Sequence, residues 1–157
     1  MTTEKKVIGG IALLTISILI GGVIFLSKGS ESSVPPDQVV ANNGLHWHPK
    51  LTIIIKGQKQ ELPANIGLGA VHQKIHTHDT DAKDGVVHIE AQGVVTKDDT
   101  KLGNFFKIWG EDFNSTTILD KKNGQDGTVK MLVNGKENTD FENYMMKEGD
   151  NIEIRYE

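Results

Sequence analysis

Residues 7–26 form a run of twenty without a charge or a proline. Its polar members and glycines are Gly9, Gly10, Thr15, Ser17, Gly21 and Gly22. Such a run has few options. In lipid every backbone N–H and C=O must be bonded, and a lone segment achieves that only as a helix. About 20 residues at a rise of ~1.5 Å reach roughly 30 Å, the thickness of a bilayer's hydrocarbon core. The run is also apolar on every face, which argues against an ordinary core helix. We therefore expect a transmembrane anchor, with membrane lipid as its partner. Lys5 and Lys6 precede it and Lys28 follows. That bias puts residues 1–6 in the cytoplasm and the rest of the chain outside the cell membrane, as a single-pass protein. A cleaved signal peptide is the competing reading. Its apolar region runs about 7–15 residues to a small-residue cleavage site, and Phe25-Leu26-Ser27-Lys28 offers no such site.

Residues 27–43 read as a linker, with Gly29, Ser30, Ser32, Ser33 and the stiffening pair Pro35-Pro36. Residues 44–157 are enough for one domain with its own core. From Asp37 onward there are 14 basic and 19 acidic residues, a net of −5. That acidic, scattered distribution argues against nucleic acid as a partner. The chain has no cysteine, so disulfides, thiolate metal sites, cysteine nucleophiles and a lipoprotein anchor are all excluded.

The domain is strand-rich. Leu51-Thr52-Ile53-Ile54-Ile55 is β-branched; Lys56 to Lys59 reads as a turn and Gln60-Glu61-Leu62 as the return of a hairpin. Residues 86–91 alternate, with Val87, Ile89 and Ala91 on one face and Val86, His88 and Glu90 on the other. Leu102, Phe105, Phe106 and Trp109 make one apolar face of a short helix, capped by Thr100 and ended by Gly110. Val129 to Val133 and Ile152 to Tyr156 are further strands, and Asn134-Gly135 is a strong hairpin turn. The expected class is α+β: two or more β-hairpins with one or two short helices. The closing stretch from Val129 to Tyr156 resembles that of β-grasp domains. Residues 52–59 and 130–137 look alike, as two glycine-turned hairpins would without any duplication.

All six histidines fall between His46 and His88, and they are patterned. His46-Trp47-His48 is an H-x-H; His76-Thr77-His78-Asp79 is a second, with an acid attached; His88-Ile89-Glu90 is an H-x-E; His72 stands alone. In a strand, residues i and i+2 share a face about 6.5–7 Å apart. Two imidazoles so placed can lean onto one ion and bind it at about 2.0–2.1 Å. Three pairs on neighbouring strands put five histidines and a carboxylate on one patch, so the candidate metal ligands are His46, His48, His76, His78, His88 and Glu90, with Asp79 in reserve. Imidazole and carboxylate without thiolate suit copper, zinc, nickel or non-haem iron, and copper heads the divalent series. Copper is the expected ion and zinc the alternative. Met131, Met145 and Met146 can serve Cu(I) or simply fill core, and Trp47 packs inward while its neighbours face out.

Three functions stay open on these residues. One is a non-enzymatic module for metal storage, delivery or sensing, working with another membrane or metal-handling protein. Another is a mononuclear metalloenzyme with Glu90 or Asp79 as base. The last is an interaction or pH-sensing domain without metal. A calcium loop over Asp79, Asp81 and Asp84 lacks its bidentate glutamate. Asn114-Ser115-Thr116 matches a glycosylation sequon, a pattern that arises often by chance.

The set His46-Trp-His48, Pro63-Ala-Asn-Ile-Gly67, His76-Thr-His-Asp79, Gly85-Val-Val-His-Ile-Glu90 and Leu102-Gly-Asn-Phe-Phe-Lys-Ile-Trp-Gly110 resembles a family of small membrane-anchored proteins of archaea and bacteria. That family has no settled activity, so the resemblance implies a domain and a grouping of motifs but no reaction. His72 lies outside these motifs, which lowers it as a ligand.

Overall fold

The computed structural model describes residues 15–22 and 34–157. The chain divides into two compact units, residues 1–35 and residues 36–157. Of the first, residues 15–22 are helical, with Ile16, Ile18, Leu19 and Ile20 all more than half exposed. The remainder of the expected anchor, residues 7–14 and 23–26, lies outside the described residues. No helix among the described residues is long and apolar enough to cross a membrane.

The second unit is α+β. Its strands are β1 (Val39–Ala41), β2 (Leu45–Trp47), β3 (Lys50–Ile55), β4 (Gln58–Gln60), β5 (Ile75–His76), β6 (His88–Ala91), β7 (Val95–Thr96), β8 (Phe113–Asn114), β9 (Thr117–Ile118), β10 (Lys121–Lys122), β11 (Val129–Val133), β12 (Lys136–Glu137) and β13 (Asn151–Tyr156). The helix α1 (Leu102–Trp109) follows β7. The main sheet has five strands in the order β12-β11-β13-β3-β4. Its central pair, β13 and β3, is parallel, and every other pair in it is antiparallel. Three strands in the order β2-β6-β5 make a smaller antiparallel sheet. β1 pairs with β7, and β8, β9 and β10 form a short meander.

The two similar sequence stretches are the outer hairpins of the main sheet. Lys56-Gly57 turns β3 into β4 and Asn134-Gly135 turns β11 into β12, all four residues at positive φ, the two-residue turn whose twist suits a hairpin. Because the first turn is this tight, Gln58 already pairs with Ile55, so the return strand is β4 rather than Gln60-Glu61-Leu62. Leu62 is buried without joining the ladder. β6 begins at His88, later than Val86, which makes only an isolated bridge to Lys50. β1 falls within the expected linker, where the Lys97 N–H also donates to the Gln38 carbonyl at 2.8 Å; the folded unit therefore starts well before Gly44.

Leu51, Ile53, Met131, Ile152 and Ile154 from the main sheet meet Leu102, Phe105 and Phe106 from α1 and Ile75, Val87 and Ile89 from the small sheet in one core. Gly110 ends α1 in the left-handed conformation, its N–H donating to the Phe106 carbonyl, as a C-terminal glycine does. Thr100 does not cap the helix: it ends a preceding 3-10 turn and gives its hydroxyl to the Lys97 carbonyl, so Lys101 stands at the cap. Met131 and Met146 are fully buried, which makes them core filler.

Candidate metal centre

The small sheet carries His46, His76 and His88 on its strands, where period-two alternation sets which face each residue takes. On β6, Ile89 and Ala91 are buried on the core side, which leaves His88 and Glu90 on the opposite one. His46 on β2 is registered against Glu90, and His76 on β5 against His88. Trp47, registered against Ile89, packs on the core as expected. His46, His76 and the pair His88 and Glu90 thus stand on three neighbouring strands, whereas His48 and His78 lie just past the ends of β2 and β5.

Two backbone approaches hold the outer segments in place. The sequence Pro63-Ala-Asn-Ile-Gly67 folds over β5 through the buried Thr77, whose hydroxyl donates to the Pro63 carbonyl at 2.8 Å and accepts from the Ile66 N–H at 3.0 Å. Gly67 sits at φ +76, and a Cβ there would lie 2.6 Å from the Ile75 carbonyl oxygen. Gly85, at φ +84, similarly leaves 2.5 Å between a Cβ and the Leu51 carbonyl oxygen, while its own carbonyl accepts from the Leu51 N–H at 2.8 Å. The second of these approaches joins the segment before β6 to β3 of the main sheet.

The six imidazoles make a continuous file. Ring centroids are 4.6 Å apart for His46 and His48, 4.9 Å for His48 and His88, 4.6 Å for His88 and His78, 4.8 Å for His78 and His76, and 4.4 Å for His76 and His72. The file runs from exposed His46 through buried His88 and His76 to exposed His72. Three triads along it can hold a metal ion: His46, His48 and His88; His76, His78 and His88; and His72, His76 and Glu90, each with its ligand atoms within 4.8 Å of one another.

No protein-family model, curated protein or solved structure matches this chain. His76 Nε2 lies 3.2 Å from His78 Nε2 and 3.4 Å from His72 Nε2. Bonds of about 2.05 Å to a tetrahedral ion put neighbouring nitrogens about 3.3 Å apart. These nitrogens are therefore already at the edge length of a coordination tetrahedron.

Tutored by their other contacts, the central rings present lone pairs. A carboxylate only accepts, so the 3.0 Å contact between His88 Nε2 and Asp81 Oδ2 puts the proton on Nε2 and the lone pair on Nδ1. That Nδ1 is buried and has no hydrogen-bond partner among the described residues, and neither has Asp81 Oδ1. The Gln73 carbonyl likewise takes the proton of His76 Nδ1 at 3.1 Å and leaves Nε2 free. Burial holds His76 down to about 4, helped by charge repulsion from His72, His78 and His88 and opposed by the Gln73 hydrogen bond. At neutral pH it is uncharged, the form a metal requires of an imidazole.

Asp81, Glu148 and His72 are the additions to the set read from sequence. Glu148, from the loop before β13, accepts the His48 backbone N–H at 2.6 Å and lies 3.4 Å from His48 Nδ1. Its distance of 100 residues hid it. Asp81 faces His88 because a 3-10 turn, Ala82–Asp84, brings the chain back at once. His72 reaches His76 from four residues earlier in the chain, the one spacing that carried a hint. Asp79 is exposed and enters none of the triads; the acids that touch the histidines are Asp81 on His88 and Glu148 on His48. A groove of about 630 Å³ lies between the loop at Gly67–Val71 and α1, lined by Asn65, Gln73, Lys107 and Ile108 among others and by no histidine.

Proposed function

We propose that this chain is a membrane-anchored, extracytoplasmic metal-binding protein whose ion is copper and whose work is storage, delivery or sensing. The observation that carries the reading is the buried, unpartnered Nδ1 of His88, held by Asp81 at the meeting point of two histidine triads. A buried acceptor left without a partner costs about 1–3 kcal/mol, and an ion on Nδ1 removes that cost. Carboxylate-held imidazole is also the usual way a metal-ligating histidine is oriented.

Copper is favoured by donor chemistry. The donors are imidazole and carboxylate, and Cu(II) binds such sets above the other first-row divalent ions, zinc among them. Met131 and Met146 are consumed by the core, which leaves Met145 as the one exposed thioether of the three; the gathered donors are imidazoles and a carboxylate, which suit Cu(II) more than Cu(I). The anchor is supported by the uncharged run at residues 7–26 and by the exposed apolar side chains of its described part. The strand order β4-β3-β13-β11-β12, with its parallel central pair and two flanking hairpins, supports a β-grasp reading of the main sheet. The quoted motifs act as one unit, which supports membership of the membrane-anchored family they resemble: the Pro63–Gly67 clamp seats β5, and α1 shares the core under β5 and β6.

Calorimetric titration of the full chain with Cu(II) and Zn(II) tests the function. Submillimolar binding of Cu(II), tighter than of Zn(II) and abolished when His46, His48, His76 and His78 are changed together to alanine, is the expected result. Millimolar or weaker affinity for both ions overturns it.

A further inference from the structure

The three triads overlap. His88 belongs to the first and second, His76 to the second and third, and the first and third share no residue. Bridging does not resolve the overlap. A ring bridges two ions only if both nitrogens are free, but Asp81 holds His88 Nε2 and the Gln73 carbonyl holds His76 Nδ1. Each shared ring has one nitrogen to give. An ion in the central triad therefore takes a ligand from both flanking triads, and ions in both flanking triads leave His78 alone.

Resting on the metal-binding reading, we propose that the chain holds either one ion, in the central triad His76, His78 and His88, or two ions, in the flanking triads, so that the second equivalent drives the first out of the centre. All three central ligands are buried or half-buried, so little side-chain freedom is lost in ordering them. Each flanking triad instead includes exposed ligands, His46 in one and His72 and Glu90 in the other, whose rotamers must be fixed on binding. One equivalent is thus kept shielded. A second equivalent moves the whole load to the two solvent-facing ends, where another protein can collect it.

Co(II) serves as the probe, because its visible bands report ligand set and geometry. The full chain is titrated while bound metal is counted by equilibrium dialysis. Two ions per chain are expected at saturation, with a first-equivalent spectrum that disappears as the second ion binds. His78→Ala removes the central triad: two ions still bind, but the first-equivalent spectrum of the wild type never appears. His72→Ala, at an exposed position, saturates at one ion and keeps the first-equivalent spectrum throughout. Simple doubling of one spectrum in the wild type overturns the exchange, and so does saturation at one or at three ions, or a fall to one ion in His78→Ala. Absence of Co(II) binding by the wild type instead overturns the metal-binding reading beneath it.

Discussion

Asp81 grips His88 through Nε2 and so decides which nitrogen the ring can offer. Asp81→Asn keeps the shape but removes the charge that makes the imidazole a better donor. Partners of this kind are worth about 10–100-fold in metal affinity, so Cu(II) affinity falls by that factor, measured by competition with a chromophoric chelator; an unchanged affinity would remove Asp81 from the centre. His76 gives a pH dependence. It titrates near 4 in the folded chain against 6.5 when unfolded. Between those values the unfolded chain binds more protons, so stability rises with pH there. The contribution is complete above 6.5 and is lost as pH falls toward 4. With chelator present, the wild type therefore melts lower at pH 4.5 than at pH 7, and His76→Gln shrinks that difference. An equally large difference in the variant would assign the effect to other groups. At this scale the sequence exposed the residues that repeat. His46, His48, His76, His78 and His88 announced themselves by period two, whereas Asp81 and Glu148 carry no periodic signal, because each reaches its histidine from a loop.

The short strand β5 has only two residues, and its position depends on the loop clamped above it. Thr77→Val keeps the shape but leaves the Pro63 carbonyl and the Ile66 N–H without their shared hydroxyl. The loss of a buried hydrogen-bonded group costs about 1–3 kcal/mol, visible as a lower urea midpoint. Cu(II) binding should weaken too, since His76 and His78 flank the clamp. Gly85→Ala meets both a positive φ and the Leu51 carbonyl, and is expected to destabilise by about 2 kcal/mol or more; a neutral result in the same assay would show that the β3–β6 junction can yield. Elements with a strong local signal could be read directly. The hairpins declared themselves through Lys56-Gly57 and Asn134-Gly135, and α1 through its apolar spacing and Gly110. β1 could not be read, because three residues among prolines and polar side chains become a strand only when β7 is there to pair with them.

The folded unit of residues 36–157 has its own core and all four described sheets. A chain started at Pro36 should therefore keep its cooperative melting and its metal capacity, whereas one started at Gly44 loses β1 and its pairing with β7 and melts several degrees lower. Identical melting curves would return residues 36–43 to the status of a linker. The main sheet's membership followed from local patterns, but its order did not: nothing in Lys50–Ile55 points to Asn151–Tyr156, the strand beside which it lies in parallel. That pairing joins residues about a hundred positions apart, and Glu148, which holds His48, sits just ahead of the later strand. Long-range closures of this kind are the slow steps of folding, and a chain emerges from the ribosome N-terminus first. All six histidines are thus synthesised well before the carboxylate and strand that brace the first pair. A half-made chain has all six imidazoles but not the brace on the first pair, which closes only once residues 148–157 have been made and docked.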